Sequence, residues 1–144
     1  MATLTPEDLR RKLQAVRLLV TDVDGVLTDG SIVYAGDDTE AKIFNVKDGS
    51  ACHIARVIEL PVAVITARSS RAVERRFAEL PIHRLYQGVF DKLSVCRQLQ
   101  EELGLDPEQI AYLGDDLVDL ASMRHVGVSV TVADGHPMLR READ

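Results

Sequence analysis

A chain of 144 residues, 46% hydrophobic and 28% charged, is long enough to bury a core and has the balance of an ordinary globular domain. Its formal net charge of -6 argues against nucleic acid and anionic membrane as partners, and no apolar run approaches the roughly twenty residues of a membrane-spanning helix. An anionic substrate is not excluded, because a cation or a few placed Lys and Arg side chains reverse the local field. The first seventeen residues are charged and do not resemble a secretory leader. Cys52 and Cys96 lie far apart in apolar-periodic stretches, as buried thiols in a reducing cytoplasm would. The four histidines show no pairing at zinc-ligand spacing.

Thr5-Pro6-Glu7-Asp8 predicts a capped amphipathic helix that carries Leu9, Leu13 and Val16 towards the core. Leu18-Leu19-Val20 then reads as a short buried strand that stops at Asp22-Val23-Asp24-Gly25. Ile32 with Tyr34, and Ala41 with Ile43, alternate across the polar stretch Ala35-Gly36-Asp37-Asp38, so residues 31–44 read as a β-hairpin inserted after that strand. Asp48 is placed to cap a helix from about Gly49 to Glu59, with Ile54, Ala55 and Ile58 inward. Val62 to Ile65 is a second buried strand ending at Thr66, and Ser69 opens a helix through Val73, Phe77 and Leu80. A third strand spans Ile82 to Tyr86. The next helix begins at Asp91-Lys92 and stops at Gly104. Ile110 to Leu113 forms a fourth strand ending in Gly114-Asp115-Asp116, with a helix from Leu117, a fifth strand over Val126 to Val132 and a last helix from Pro137. This alternation predicts one domain over residues 1–144, an α/β fold with a mostly parallel sheet and helices on both faces.

Ligands of open parallel sheets bind beyond the carboxyl ends of the strands. The predicted ends collect Asp22 and Asp24, Thr66, Lys92 at a helix start, and Asp115, Asp116 and Asp119. Two acids at the end of one buried strand repel unless a cation shares them. Magnesium takes hard oxygen ligands and keeps several waters, so two or three carboxylates suffice, while a lysine and a hydroxyl hold phosphoryl oxygens. A calcium loop is the weaker reading of Asp22-Val23-Asp24-Gly25, since its glycine is fourth rather than sixth and a strand precedes it. Taken singly, Asp115-Asp116 also reads as a helix cap, Thr66 as a strand end and Lys92 as a surface lysine.

Asp22-Val23-Asp24-Gly25-Val26-Leu27-Thr28, Ile65-Thr66-Ala67-Arg68, Lys92 and Gly114-Asp115-Asp116-Leu117-Val118-Asp119 resemble the four motifs of the haloacid dehalogenase phosphatases. Leu27-Thr28-Asp29-Gly30, Phe44-Asn45-Val46-Lys47-Asp48-Gly49 and Ala133-Asp134-Gly135-His136-Pro137 resemble, more narrowly, the 3-deoxy-manno-octulosonate 8-phosphate phosphatases. The resemblance implies a three-layer Rossmann-like fold with no separate cap domain. It implies a magnesium-dependent phosphatase of a phosphorylated sugar acid in lipopolysaccharide precursor synthesis. Asp22 would be the nucleophile and Asp24 the acid and base. The metal would be held by Asp22, the Asp24 carbonyl and Asp115, with Asp116 acting through water and Asp119 orienting the others. Thr66 and Lys92 would bind phosphoryl oxygens, and Lys47 and Arg68 the substrate. The resemblance further implies a homotetramer in which hairpins meet and a neighbouring subunit helps close each site.

Family members usually run on into another short strand and a glycine-rich tail that reaches over an active site. This sequence stops at Arg141-Glu142-Ala143-Asp144, which bears on closure over substrate and leaves the nucleophile and metal groups untouched. A nonulosonate 9-phosphate or another small sugar phosphate remains an alternative substrate. A phospho-accepting signalling module or a non-catalytic oligomerisation domain remains an alternative class.

Overall fold

The structure, a computed structural model, describes residues 4–36 and 39–144. Asp37 and Asp38, in the expected hairpin turn, lie outside the described residues. The chain runs α1 (Pro6–Ala15), β1 (Leu18–Thr21), β2 (Val33–Tyr34), β3 (Glu40–Ala41), α2 (Val46–Val57), β4 (Val62–Ile65) and α3 (Arg71–Ala78). It continues through β5 (Arg84–Tyr86), α4 (Lys92–Leu103), β6 (Ile110–Gly114), α5 (Leu120–Met123), β7 (Val128–Thr131) and α6 (Pro137–Glu142). Short 3-10 turns precede β6 and α5.

Five parallel strands form one sheet in the order β5-β4-β1-β6-β7, so β1 lies at its centre. β1 registers Thr21 against Val64 of β4 and against Leu113 of β6. Strands buried on both faces read as near-continuous apolar runs, which is how β1 and β4 are written. Leu18, Val20, Ala63, Ile65, Ile110 and Tyr112 point to one face, where Cys96 and Leu99 of α4, Met123 of α5 and Leu139 of α6 cover them. On the other face Val64 packs with Val73 and Phe77 of α3 and with Phe44, which meets Phe77 edge to face.

β2 and β3 pair antiparallel as a separate two-stranded hairpin. Apolar side chains in and just after it are exposed: Tyr34 is 76% and Ile43 77% exposed. Three local expectations are corrected. Asn45 rather than Asp48 caps the helix after the hairpin, its Oδ1 accepting the Lys47 amide at 3.0 Å, so α2 starts earlier than expected. Gly49 and Ala55 form the inward face of α2, where Arg76 and Leu80 approach Gly49 too closely for a larger residue, whereas Ile54 and Ile58 lie outside. The amphipathic α1 buries none of its residues, and Leu13 is half exposed; α1 packs against the 3-10 turn before β6.

Candidate active site

Parallel pairing in register brings neighbouring strand ends to one edge, and here it does so around Asp22. The Asp22 amide donates to the Leu113 carbonyl at 3.0 Å, continuing the β1–β6 ladder one residue beyond the strand. Thr66 follows β4 directly and Asp115 follows β6 directly, so both flank Asp22. Past Asp24 the chain turns through Gly25 at φ +89, a left-handed conformation that glycine adopts without strain. A Cβ there would stand 1.9 Å from Asp115 Oδ2, so the two acidic loops touch where only hydrogen fits.

Lys92 opens α4 beneath this cluster. Its ammonium is buried, 2.7 Å from Asp22 Oδ2 and 2.7 Å from Asp119 Oδ1. The Asp119 carboxylate is fully engaged: Oδ1 also accepts the Tyr112 hydroxyl at 2.8 Å, and Oδ2 accepts the amides of Asp115 and Asp116 at 3.1 and 3.2 Å. Burial, with the Asp119 charge beside it, pushes the Tyr112 phenol upward, so it stays a hydrogen-bond donor. Asp116 is exposed, and its Oδ1 accepts the Leu117 amide at 2.7 Å, capping the turn that follows β6.

Asp22, Asp115 and Asp119 each present a carboxylate oxygen within 4.8 Å of the others. Burial pushes Asp22 up to about 6 against the opposing pull of Lys92, and burial with the charges of Asp22, Asp119 and Asp116 pushes Asp115 up to about 6. The donor set fits a hard divalent cation. Asp115 Oδ1 is buried with no hydrogen-bond partner among the described residues, and no backbone amide of theirs donates to the Asp24 carbonyl. With its oxygens spent on four donors, Asp119 positions its neighbours.

The other expected residues sit as follows. Thr66 is buried, and its Oγ1 accepts the Arg68 amide at 3.4 Å. Asp24 is partly exposed and pairs with the ammonium of Lys42. Arg68 pairs with Glu40 of the hairpin, which holds its guanidinium above the usual range. Lys47 is exposed in the first turn of α2 and makes no ion pair among the described residues. Lys42 and Glu40 were missed from sequence, as was Tyr112. The available signal was alternation: residues 40 and 42 share one face of a strand, so a charged pair there looks where Ala41 does not.

A parallel α/β sheet whose central strand ends in paired carboxylates, beside a buried lysine and a second acidic loop, defines a haloacid dehalogenase-like hydrolase, and residues 82–144 match that family. The chain is 47% identical over 137 residues to the 3-deoxy-D-manno-octulosonate 8-phosphate phosphatase of Escherichia coli, covering 95% of this chain and 73% of the relative. The chain belongs to this phosphatase family. The solved enzyme of the same name from Yersinia pestis superposes with a TM-score of 0.89 at 44% identity, covering 92% of this chain and 72% of that one. The Moraxella catarrhalis enzyme, solved with magnesium, phosphate and KDO, superposes with a TM-score of 0.93 at 37% identity, covering 97% and 80%.

Proposed function

We propose that the chain hydrolyses 3-deoxy-D-manno-octulosonate 8-phosphate in a magnesium-dependent reaction through an aspartyl-phosphate on Asp22. The observation that carries this reading is the meeting of Asp22, Asp115 and Lys92 at adjoining strand ends. It gains support from the relative of that activity at 47% identity and from the solved relative holding magnesium, phosphate and KDO.

An Asp22 oxygen attacks phosphorus in line with the ester oxygen, and the bond from phosphorus to that oxygen breaks. Asp24 gives the departing sugar oxygen its proton. Asp24, now a base, takes a proton from water, the water oxygen attacks phosphorus, and the bond to Asp22 breaks to free inorganic phosphate. Lys92 and Thr66 hold phosphoryl oxygens, and Lys92 offsets the charge of the Asp22 carboxylate. Asp22, Asp115 and the Asp24 carbonyl would hold magnesium, with Asp116 acting through water. When bound, the ion supplies positive charge that lets an anionic nucleophile approach an anionic phosphate. Asp119 keeps Lys92 and the Asp115 loop in place. Arg68 and Lys47 are the groups assigned to the sugar acid's carboxylate.

We further read residues 1–144 as one domain, working in the cytoplasm in lipopolysaccharide precursor synthesis and assembled as a homotetramer. Tyr34 and Ile43, and Val46 and Val57 of α2, are exposed apolar side chains of the kind a subunit interface covers. The test is a panel of sugar phosphates assayed with and without magnesium. The expected result is magnesium-dependent turnover with octulosonate 8-phosphate preferred by at least about tenfold in kcat/KM. Equal or better turnover of a nonulosonate 9-phosphate overturns the substrate, and stoichiometric labelling without turnover overturns the enzyme.

A further inference from the structure

The hairpin brings a charge into the site that the four strand-end motifs do not contain. Lys42 follows β3, in a segment whose next residue, Ile43, is 77% exposed, yet the Lys42 side chain is only 1% exposed. A lysine on so short a hairpin reaches water easily, and burying its ammonium costs several kcal/mol unless it is paired. It is paired twice. Its Nζ hydrogen-bonds Asp24 Oδ1 and lies 3.0 Å from Glu40 Oε1, an ion pair off the hydrogen-bond direction. Glu40 in turn holds the Arg68 guanidinium through its other oxygen. The result is a row of alternating charge, Asp24–Lys42–Glu40–Arg68, running from the nucleophile's loop across the hairpin to the loop after β4. At its inner end, Asp24 Oδ2 is buried and without a hydrogen-bond partner among the described residues.

We propose that Lys42 is a positioning residue for the two proton transfers, anchoring one oxygen of the Asp24 carboxylate so that the other, Oδ2, stays aimed at the reacting oxygen. The inference rests on the reading of Asp24 as the group that moves the proton. A carboxylate turns about a broad, roughly two-fold torsion, so its own rotamer preference does not hold one oxygen forward. A donor on Oδ1 does. Glu40 balances the ammonium, and Arg68 keeps Glu40 in place. The hairpin thereby serves the chemistry at the end of β1.

The experiment compares Lys42→Met and Lys42→Arg with Asp24→Asn on two substrates. Octulosonate 8-phosphate leaves as an alkoxide that needs a proton; p-nitrophenyl phosphate leaves as a stable anion that does not, although hydrolysis of its aspartyl-phosphate still needs the base. For Lys42→Met, kcat on the sugar phosphate should fall at least about tenfold with KM within about threefold. With p-nitrophenyl phosphate, stopped flow should show a burst approaching one nitrophenolate per site, then turnover at least about tenfold slower than the parent's, the pattern expected of Asp24→Asn. Loss on both substrates without a burst, or kinetics within about twofold of the parent, overturns the proposal. Should Lys42→Met lose its cooperative melt, Lys42→Arg decides: its wider planar head shifts the donor, so a smaller loss with the same burst supports the proposal, and parental kinetics overturn it. If Asp24→Asn gives the burst and the Lys42 variants do not, only the role of Lys42 falls. If Asp24→Asn turns over the sugar phosphate at the parent's rate, the reading of Asp24 falls and takes the inference with it.

Discussion

Lys92 and Asp119 face each other at 2.7 Å with neither side chain exposed to water. Removing one partner of such a pair leaves the other charged and desolvated, which costs about 3 kcal/mol or more. Asp119 also carries the Tyr112 hydroxyl and two backbone amides, so it has no spare capacity to rearrange. Asp119→Asn should lower the unfolding free energy by about 3 kcal/mol in urea titration, with or without magnesium. A loss under about 1 kcal/mol would contradict the assignment of Asp119 as the brace of the site.

Gly25→Ala probes the contact between the two acidic loops. The added methyl meets Asp115 Oδ2 at 1.9 Å and stands on a backbone with φ +89, so Asp115 must swing away. Magnesium affinity measured calorimetrically should weaken at least about tenfold, while the sheet, whose strands lie outside the clash, keeps its circular dichroism. Unchanged affinity would mean that Asp115 does not ligate the ion.

The strand-end residues were legible because their positions follow from periodicity alone: apolar runs mark β1, β4 and β6, and whatever follows each run stands at the same sheet edge. Asp22, Thr66 and Asp115 are therefore neighbours by topology. The helix boundaries around Asn45 and Asp48 were less legible, since both residue types cap helices and tertiary packing of Gly49 against α3 chose between them. Lys42 was hidden for a different reason. Hairpin alternation names the two faces but not which one turns inward, and the usual expectation puts the apolar face in. Here the face that carries Glu40 and Lys42 looks at a carboxylate, so charge goes inward there and Ile43, of the other parity, is left outside. Tyr112 reads as core from its strand parity, and only the fold shows its hydroxyl reaching Asp119.

The raised carboxyls give a pH signature of definite sign. Asp22 and Asp115 ionise near 3.8 as ordinary aspartates but near about 6 in the metal-free fold. Between those values the folded state binds more protons than the unfolded one, so this contribution to stability declines as pH rises from about 4 to about 6 and is level above. Magnesium needs the ionised forms. The rise in Tm on adding magnesium should be full at pH 8, shrink through pH 6 and be nearly gone below about pH 5. An equal magnesium increment at pH 5 and pH 8 in a thermal-shift series would contradict this.

The roles proposed for Asp22 and Asp24 separate two variants. Asp22→Asn removes the attacking oxygen's charge and should lower turnover by at least about a thousandfold while the protein still folds. Asp24→Asn keeps the nucleophile and the backbone carbonyl, so magnesium should still bind while leaving-group departure and hydrolysis both slow. Quench-flow with phosphorus-labelled substrate reads the difference, and parental turnover by Asp22→Asn sinks the covalent route.

The register of β1 has a kinetic corollary. β1 precedes both of its sheet neighbours along the chain, and Val20 is partnered by Ala63 on one side and by Tyr112 on the other. The acidic loop after β1 has no companion until β6 has docked, a pairing of high sequence separation that comes late and slowly. An ion held between the two loops therefore grips a contact absent from early intermediates and marks the closing of the sheet. In chevron experiments magnesium should slow unfolding and leave the refolding limb where it was.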